Sequence, residues 1–97
     1  MGFELRLPPE VRRQIEEYID RFDVEFQMEA LATIRDHLER LAENPSLLGR
    51  TPSQTFGFPV YVFSMRVGGV GYAVRVAYCY SQDEKAIIIT GVGQQLL

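Results

Sequence analysis

Between two alternating runs the chain reads Gly68-Gly69-Val70-Gly71. Glycine reaches positive φ at no steric cost, so a cluster of this kind between β-prone segments predicts a tight reversal. Val60 to Val67 lies before it and Tyr72 to Tyr80 after it, both rich in β-branched and aromatic residues. A polar turn, Ser81-Gln82-Asp83-Glu84-Lys85, leads into a third apolar run, Ala86 to Val92. Three strands joined by two short turns predict an antiparallel meander.

The first half has a different period. Phe3, Leu5 and Leu7 alternate with Glu4 and Arg6, a short half-buried strand that Pro8-Pro9 terminates. From Glu10 the apolar residues fall at Val11, Ile15, Ile19 and Phe22, one helical face. A second stripe runs through Phe26, Ala30, Ile34, Leu38 and Leu41 and predicts a helix from about Glu25 to Glu43. Asn44-Pro45 ends it, because a residue before proline is pushed out of the helical region. The short link between the stripes predicts a helical hairpin. Residues 45–59, with Pro45, Gly49, Pro52, Gly57 and Pro59, read as a loop carrying Arg50.

These elements predict one α+β domain over residues 1–97: an N-terminal strand, a helical hairpin, and a three-stranded meander with both helices on one face of the sheet. The other face is then bare. Alternation puts Tyr72, Val74, Val76, Tyr78 and Tyr80 on one side of their strand and Ala73, Arg75, Ala77 and Cys79 on the other. An unpaired charge is costly to bury, so Arg75 is expected on the bare side. In the preceding strand Tyr61, Phe63, Met65 and Val67 form the bulky set, which leaves Arg66 with Arg75. Two guanidiniums above Ala73, Ala77 and Ser64 suit a phosphate, which Arg binds with paired donors. Solvated sheet arginines would read the same way.

Charge supports a division of labour. The net charge is −3, but residues 1–44 carry six Arg against eleven acids, whereas Arg50, Arg66, Arg75 and Lys85 face only Asp83 and Glu84 in the remainder. A weakly positive second half can meet an anion or an acidic partner. Cys79 is the single cysteine, so no internal disulfide forms. His37, the single histidine, sits mid-helix among Arg35, Asp36 and Glu39 and is expected to be solvated; no metal set or cofactor motif is expected. No long apolar run suggests a membrane span, and Met1 to Pro9 lacks the apolar core of a signal peptide, so the cytoplasm is the expected compartment.

Taken together, Phe63-Ser-Met-Arg-Val-Gly68, Tyr72-Ala-Val-Arg-Val-Ala-Tyr78, Asp83-Glu84-Lys85 and Ala86-Ile-Ile-Ile-Thr-Gly-Val-Gly93 resemble the C-terminal half of the RelE/ParE toxins. Asn44-Pro-Ser-Leu-Leu-Gly-Arg50 and the preceding strand and hairpin extend the resemblance over nearly the whole chain. It implies a toxin of a type II toxin–antitoxin pair, with a cognate antitoxin as partner. RelE-branch toxins cleave messenger RNA on the ribosome; ParE-branch toxins block DNA gyrase, and a toxin-fold protein can bind without cleaving. The resemblance implies a catalytic set of Arg75, Arg66 and Tyr80, with Arg50, Arg66, Lys85 and Gln94 along the RNA. Where the family often closes its last strand with His-Arg, this chain has Gln94-Gln95. The edge strands of a small open sheet can also pair with a second copy, so a homodimer in isolation fits the same layout.

Overall fold

The computed structural model describes residues 2–43, 51–52, 59–81 and 83–95. Strand β1 (Glu4–Arg6) leads to helices α1 (Pro9–Ile19) and α2 (Val24–Glu43), then to strands β2 (Thr51–Pro52), β3 (Pro59–Val67), β4 (Val70–Ser81) and β5 (Ala86–Gln94). The sheet order is β1-β5-β4-β3-β2. The expected meander is present, with β3 antiparallel to β4 and β4 to β5.

Two features of the sheet go beyond the sequence reading. Strand β1 takes the outer side of β5 in parallel, Glu4 opposite Ala86 and Arg6 opposite Ile88. Backbone bonds fix it there: Phe3 N–H donates to Ala42 O and Glu4 N–H to Lys85 O, both at 2.7 Å. Part of the segment expected to be loop is strand, since Thr51 pairs with Val60 and Pro52 with Pro59 at the opposite edge.

Both helices cover one face. Pro8 and Pro9 open α1, where a missing N–H costs nothing. The stripe Val11, Ile15, Tyr18 and Ile19 is buried, as is Ala30, Ile34, Leu38 and Leu41 on α2. They meet Phe63, Met65, Val67, Val74, Val76, Tyr78, Ile87, Ile89 and Val92 in a single core. Full burial of an aliphatic side chain contributes about 1.5–3 kcal/mol, so this shared layer is what holds helices to sheet. Surface pairs such as Arg13–Glu17 at 3.0 Å add little.

The hairpin between β3 and β4 is tighter than the glycine run implies. Only Gly68 and Gly69 lie outside the strands, at φ +59° and +82°. A two-residue loop with both residues at positive φ matches the twist of the flanking strands. Val70 and Gly71 already pair with Val67 and Arg66. A side chain at Gly68 would also meet the Phe26 ring of α2 at 2.9 Å.

One irregularity in the β4–β5 register controls everything after it. Ala77 faces Gly91 but Tyr78 faces Ile89, so Thr90 is an extra residue on β5. Ile87 and Ile89 point to the helices. Unbroken alternation would send Gly91, Gly93 and Gln95 the same way. The bulge instead turns Val92 inward, at 7% exposure, and with it Gln94; Gly91, Gly93 and Gln95 go to the bare face.

His37 is a correction to the sequence reading. It is half-buried, not solvated: its ring stacks on Phe63 at 3.9 Å and 10°, and Nδ1 lies 2.7 Å from the Tyr61 hydroxyl. Its face of α2 looks onto β3, which a count of charged sequence neighbours does not reveal.

Candidate functional site: the uncovered face of the sheet

The face without helices can be read as rows across β3, β4 and β5. Arg66 stands opposite Gly71; the next row is Ser64, Ala73 and Gln95; the next is Val62, Arg75 and Gly93; the next is Val60, Ala77 and Gly91. Gln95 belongs to its row because its N–H donates to Ala73 O at 2.8 Å, continuing the ladder past the end of β5. Arg75 occupies the centre, where the sequence placed it. Its strand neighbours Val74 and Val76 are fully buried on the helix side, so the guanidinium has only the bare side to take.

The chemistry of this face is one-sided. No Asp or Glu occurs anywhere between residues 44 and 82, nor between residues 86 and 97. The acids sit on the helices and the link between them, in the β4–β5 turn, and at Glu4 on the edge strand β1. On β3, β4 and β5 the charged groups of this face are therefore all arginines, while at the β1 edge Glu4 stands beside Arg6 and pairs with it. Among the described residues no ion pair engages Arg75 or Arg66. The glycines at positions 71, 91 and 93 keep the surface low, so a ligand can approach the backbone beside Arg75.

The two arginines share this face but are not adjacent. Four residues of strand separate Arg75 from the Arg66–Gly71 row, about 13 Å along the sheet. Arg66 also bends toward its own turn, donating from Nη2 to Gly69 O at 3.0 Å. A recess of about 600 Å³ lies at the Arg66 end, lined by Ser64, Arg66, Ala73, Gln94 and Gln95 among others. A smaller one, about 240 Å³, is lined by Arg75, Gln14, Gly91, Val92, Gly93 and Gln94. Gln94 borders both. The arrangement can hold two acceptor groups of one extended ligand, one at each arginine, over a floor of Ala73 and glycine.

The other expected site residues fall elsewhere. Tyr80 lies on the helix side, edge-on to Phe3 at 6.0 Å and stacked near Tyr78 at 6.3 Å. It is 38% exposed, but on the opposite face from Arg75 and about 16 Å along the strand. Lys85 sits in the β4–β5 turn at φ +53°, at the far end of the sheet from Arg66. Gln94 pairs with Val74 and accepts a hydrogen bond from Arg21 Nη1 at 3.2 Å, so its side chain leans toward α1. Arg50 lies outside the described residues. Gln95 is the residue that the sequence reading passed over; only the Thr90 bulge puts it beside Ala73 and Arg75.

Proton-handling groups are scarce on this surface. Tyr78, next but two after Arg75, is fully buried, and burial pushes its hydroxyl up to about 12. Cys79 is half-buried two rows beyond Arg75. Among the described residues there is no cluster of His, Cys, Asp and Glu that could hold a metal ion. Nor, among them, is any helix long and apolar enough to cross a membrane.

Gln14 supports the site from the helix side. Strand β1 pairs only with the first residues of β5, leaving the outer edge of β5 bare beyond Ile88. There the Val92 N–H donates to Gln14 Oε1 at 3.0 Å. One side chain of α1 thus satisfies the strand edge next to Gly93 and fixes the segment that flanks Arg75.

No protein-family model and no curated protein matches the sequence. Solved structures do. A chain of the toxin–antitoxin complex RelBE2 from Mycobacterium tuberculosis superposes with a TM-score of 0.63 at 17% identity, covering 98% of this chain and 93% of the other. The Escherichia coli toxin RelE, as a double arginine-to-alanine mutant in the free state, superposes with a TM-score of 0.55 at 14% identity, covering 96% of this chain and 83% of the other. In its order of elements and its helical pair on one face of an antiparallel meander, this chain has the fold of the RelE toxins.

Proposed function

We propose that this protein, a single domain over its whole length, is the toxin of a type II toxin–antitoxin pair and that it engages RNA through the uncovered sheet face. The observation that carries this reading is Arg75: a guanidinium at the centre of the bare face of a RelE-type sheet, on a surface with no acid on any of its three main strands. A phosphate is the anion whose paired oxygens match that donor set. In the cytoplasm the target is messenger RNA on the ribosome, and Arg75 stabilises charge that develops on the scissile phosphate. Arg66 holds a neighbouring phosphate.

An antitoxin partner is supported by a separate surface. An apolar groove of about 260 Å³ runs between α1, α2 and β1, lined by Leu5, Leu7, Ile15, Leu31, Ile34 and Leu38 with Arg12, Glu16 and Arg35 beside them. Val24 and Met28 continue it along α2 at 82% and 78% exposure. Contiguous exposed apolar surface of this kind is characteristic of partner contacts.

A second reading, a toxin-fold protein that arrests its target by binding alone, is favoured by one observation. Among the described residues the face around Arg75 holds no His, Tyr, Lys, Asp or Glu, whereas transfer of a 2′-hydroxyl proton needs a base and an acid. Inducible expression separates the readings. Growth arrest with cut messages, lost in Arg75→Ala, supports cleavage; arrest with intact messages supports binding, with altered DNA supercoiling pointing to gyrase. Unchanged arrest in Arg75→Ala refutes the assignment of this face.

A further inference from the structure

The edges of the sheet are not protected alike. Strand β1 is short and carries Glu4 and Arg6, and an edge of that kind pairs poorly with another chain. The edge of β5 beyond Ile88 is met by α1, where Gln14 takes the Val92 N–H at 3.0 Å. Strand β3 differs. Among the described residues its outer side is paired only at Pro59 and Val60, by β2. The hairpin sets the direction of the remaining backbone groups. Its loop, Gly68-Gly69, closes on Val67 and Val70, which exchange both backbone bonds. Met65, Phe63 and Tyr61 therefore bond to β4, while Arg66, Ser64 and Val62 aim N–H and C=O away from the sheet. The pairing of Val60 with Thr51 on that outer side agrees with this phase. Val62, at 46% exposure, and Ser64 are uncharged, so this edge has a single charged side chain, Arg66.

We propose that this edge pairs with the same edge of a second copy of the chain, antiparallel, about a twofold axis beside Ser64. The contact is isologous: Ser64 stands opposite Ser64, and Val62 of each copy opposite Arg66 of the other. Every N–H and C=O of the open segment then finds a partner. Other registers do worse. Moving the axis toward the turn leaves Val62 with no strand residue opposite and brings the arginines together, and like charges set face to face are destabilising. Moving it the other way drives the second copy into β2, which already holds Val60. With the axis at Ser64 the two Arg66 residues are about 13 Å apart along the strands. Each guanidinium is tied back to Gly69 O at 3.0 Å, which leaves its methylene stem to lie along Val62 of the other copy. The axis of an antiparallel pair is perpendicular to the sheet, so both bare faces lie on one side and both helix layers on the other. The arginine-bearing surfaces join into one, whatever ligand they take. A single strand pair is small beside a standard interface, so the dissociation constant is on the order of 100 μM.

The test is sedimentation equilibrium of the full chain from about 10 μM to 1 mM, a range that brackets a weak interface. The expected result is a reversible monomer–dimer equilibrium within it. Ser64→Pro removes an outward N–H, a change an edge strand tolerates, and abolishes the dimer. Val62→Glu sets a carboxylate opposite Arg66 of the other copy at both symmetric positions, and Val62→Lys sets an ammonium there. The Glu variant therefore associates on the order of tenfold more tightly than the Lys variant at low salt, and the difference shrinks in 1 M salt. Net charge alone would order them the other way, since the chain already carries −3. Adding Arg66→Glu to Val62→Lys restores association. If Ser64→Pro fails to fold, the two Val62 variants decide the matter. A chain that stays monomeric to about 1 mM overturns the proposal. So does a dimer that survives Ser64→Pro, or one in which Val62→Glu and Val62→Lys associate equally. A chain monomeric alone, whose Ser64→Pro variant loses capture of a partner protein, also overturns it and gives this edge to a foreign strand.

Discussion

Replacing Gln14 with leucine removes one hydrogen-bond acceptor and almost no volume. In the wild type Gln14 Oε1 takes the Val92 N–H at 3.0 Å, on a strand edge that β1 does not reach. Val92 is 7% exposed, so water has poor access to replace the lost partner. A buried donor left without an acceptor costs about 1–3 kcal/mol, and the part-buried setting puts this case near 1 kcal/mol. For a domain of this size that corresponds to a fall in Tm of about 4–8 °C. Gln14→Glu keeps the acceptor and is expected within about 2 °C of wild type at neutral pH, since a carboxylate accepts from a backbone N–H at least as well. Thermal melts followed by circular dichroism read the stability. Hydrogen exchange reads the place: the Val92 amide loses protection in Gln14→Leu, while amides on β3 keep theirs. The same variant loosens Gly93 and Gln95 beside Arg75, so RNA affinity falls even though Gln14 bears no charge. A Gln14→Leu protein that melts at or above the wild-type temperature, with Val92 exchange unchanged, would refute the claim that this contact holds the strand end.

Three further outcomes are expected. Gly69→Ala carries only the left-handed backbone penalty of about 1–2 kcal/mol, since its side chain meets open space, whereas Gly68→Ala adds the clash with Phe26 and is the less stable of the two by urea unfolding. Burial, with Arg40 acting in the same direction and Asp36 opposing, holds the His37 imidazole below its ordinary value of 6.5. The unfolded chain therefore binds that proton more readily, so this contribution to stability is full above pH 6.5 and is lost as pH falls below it; urea midpoints from pH 7.5 to 5 should drop less in His37→Phe than in wild type. Val24→Glu combined with Met28→Glu leaves the melting temperature of the isolated chain within about 3 °C, because both residues are already exposed, and abolishes capture of the antitoxin that the proposed function requires, read as loss of rescue when the two are co-expressed.

Much of this architecture is written in periodicity. The stripes Val11–Ile15–Ile19 and Ala30–Ile34–Leu38 are spaced for helices, and the valines around Arg75 force its face, so the layers and the central arginine follow from the residues alone. What could not be read are matters of tertiary choice. Nothing in Glu4-Leu5-Arg6 says which sheet edge it joins; the bonds from Phe3 to Ala42 and Glu4 to Lys85 decide it. His37 looks solvated among its charged neighbours because a helix mixes faces within every four residues, and only the packing of α2 on β3 shows it against Phe63. Tyr80 continues the inward alternation of Tyr72 to Tyr78, which already separated it from Arg75. Gln94 stood in the expected RNA set, which followed the resemblance, and the Thr90 bulge that turns it to the helix side is not announced by any residue type.

That threonine has a consequence for how the surface is specified. β5 behaves as a two-sided ribbon, and Thr90 is the point where its sides are exchanged. Deleting this one residue would remove the bulge and keep the same faces, Val92 inward and Gly91 and Gly93 outward; pairing Thr90 in regular alternation would instead lift Val92 into solvent and bring Gln94 out beside Arg75. Which side of the sheet the end of β5 shows is therefore fixed by whether one residue stays out of the ladder, and a change that drew it in would re-address the surface without altering the identity of any side chain there.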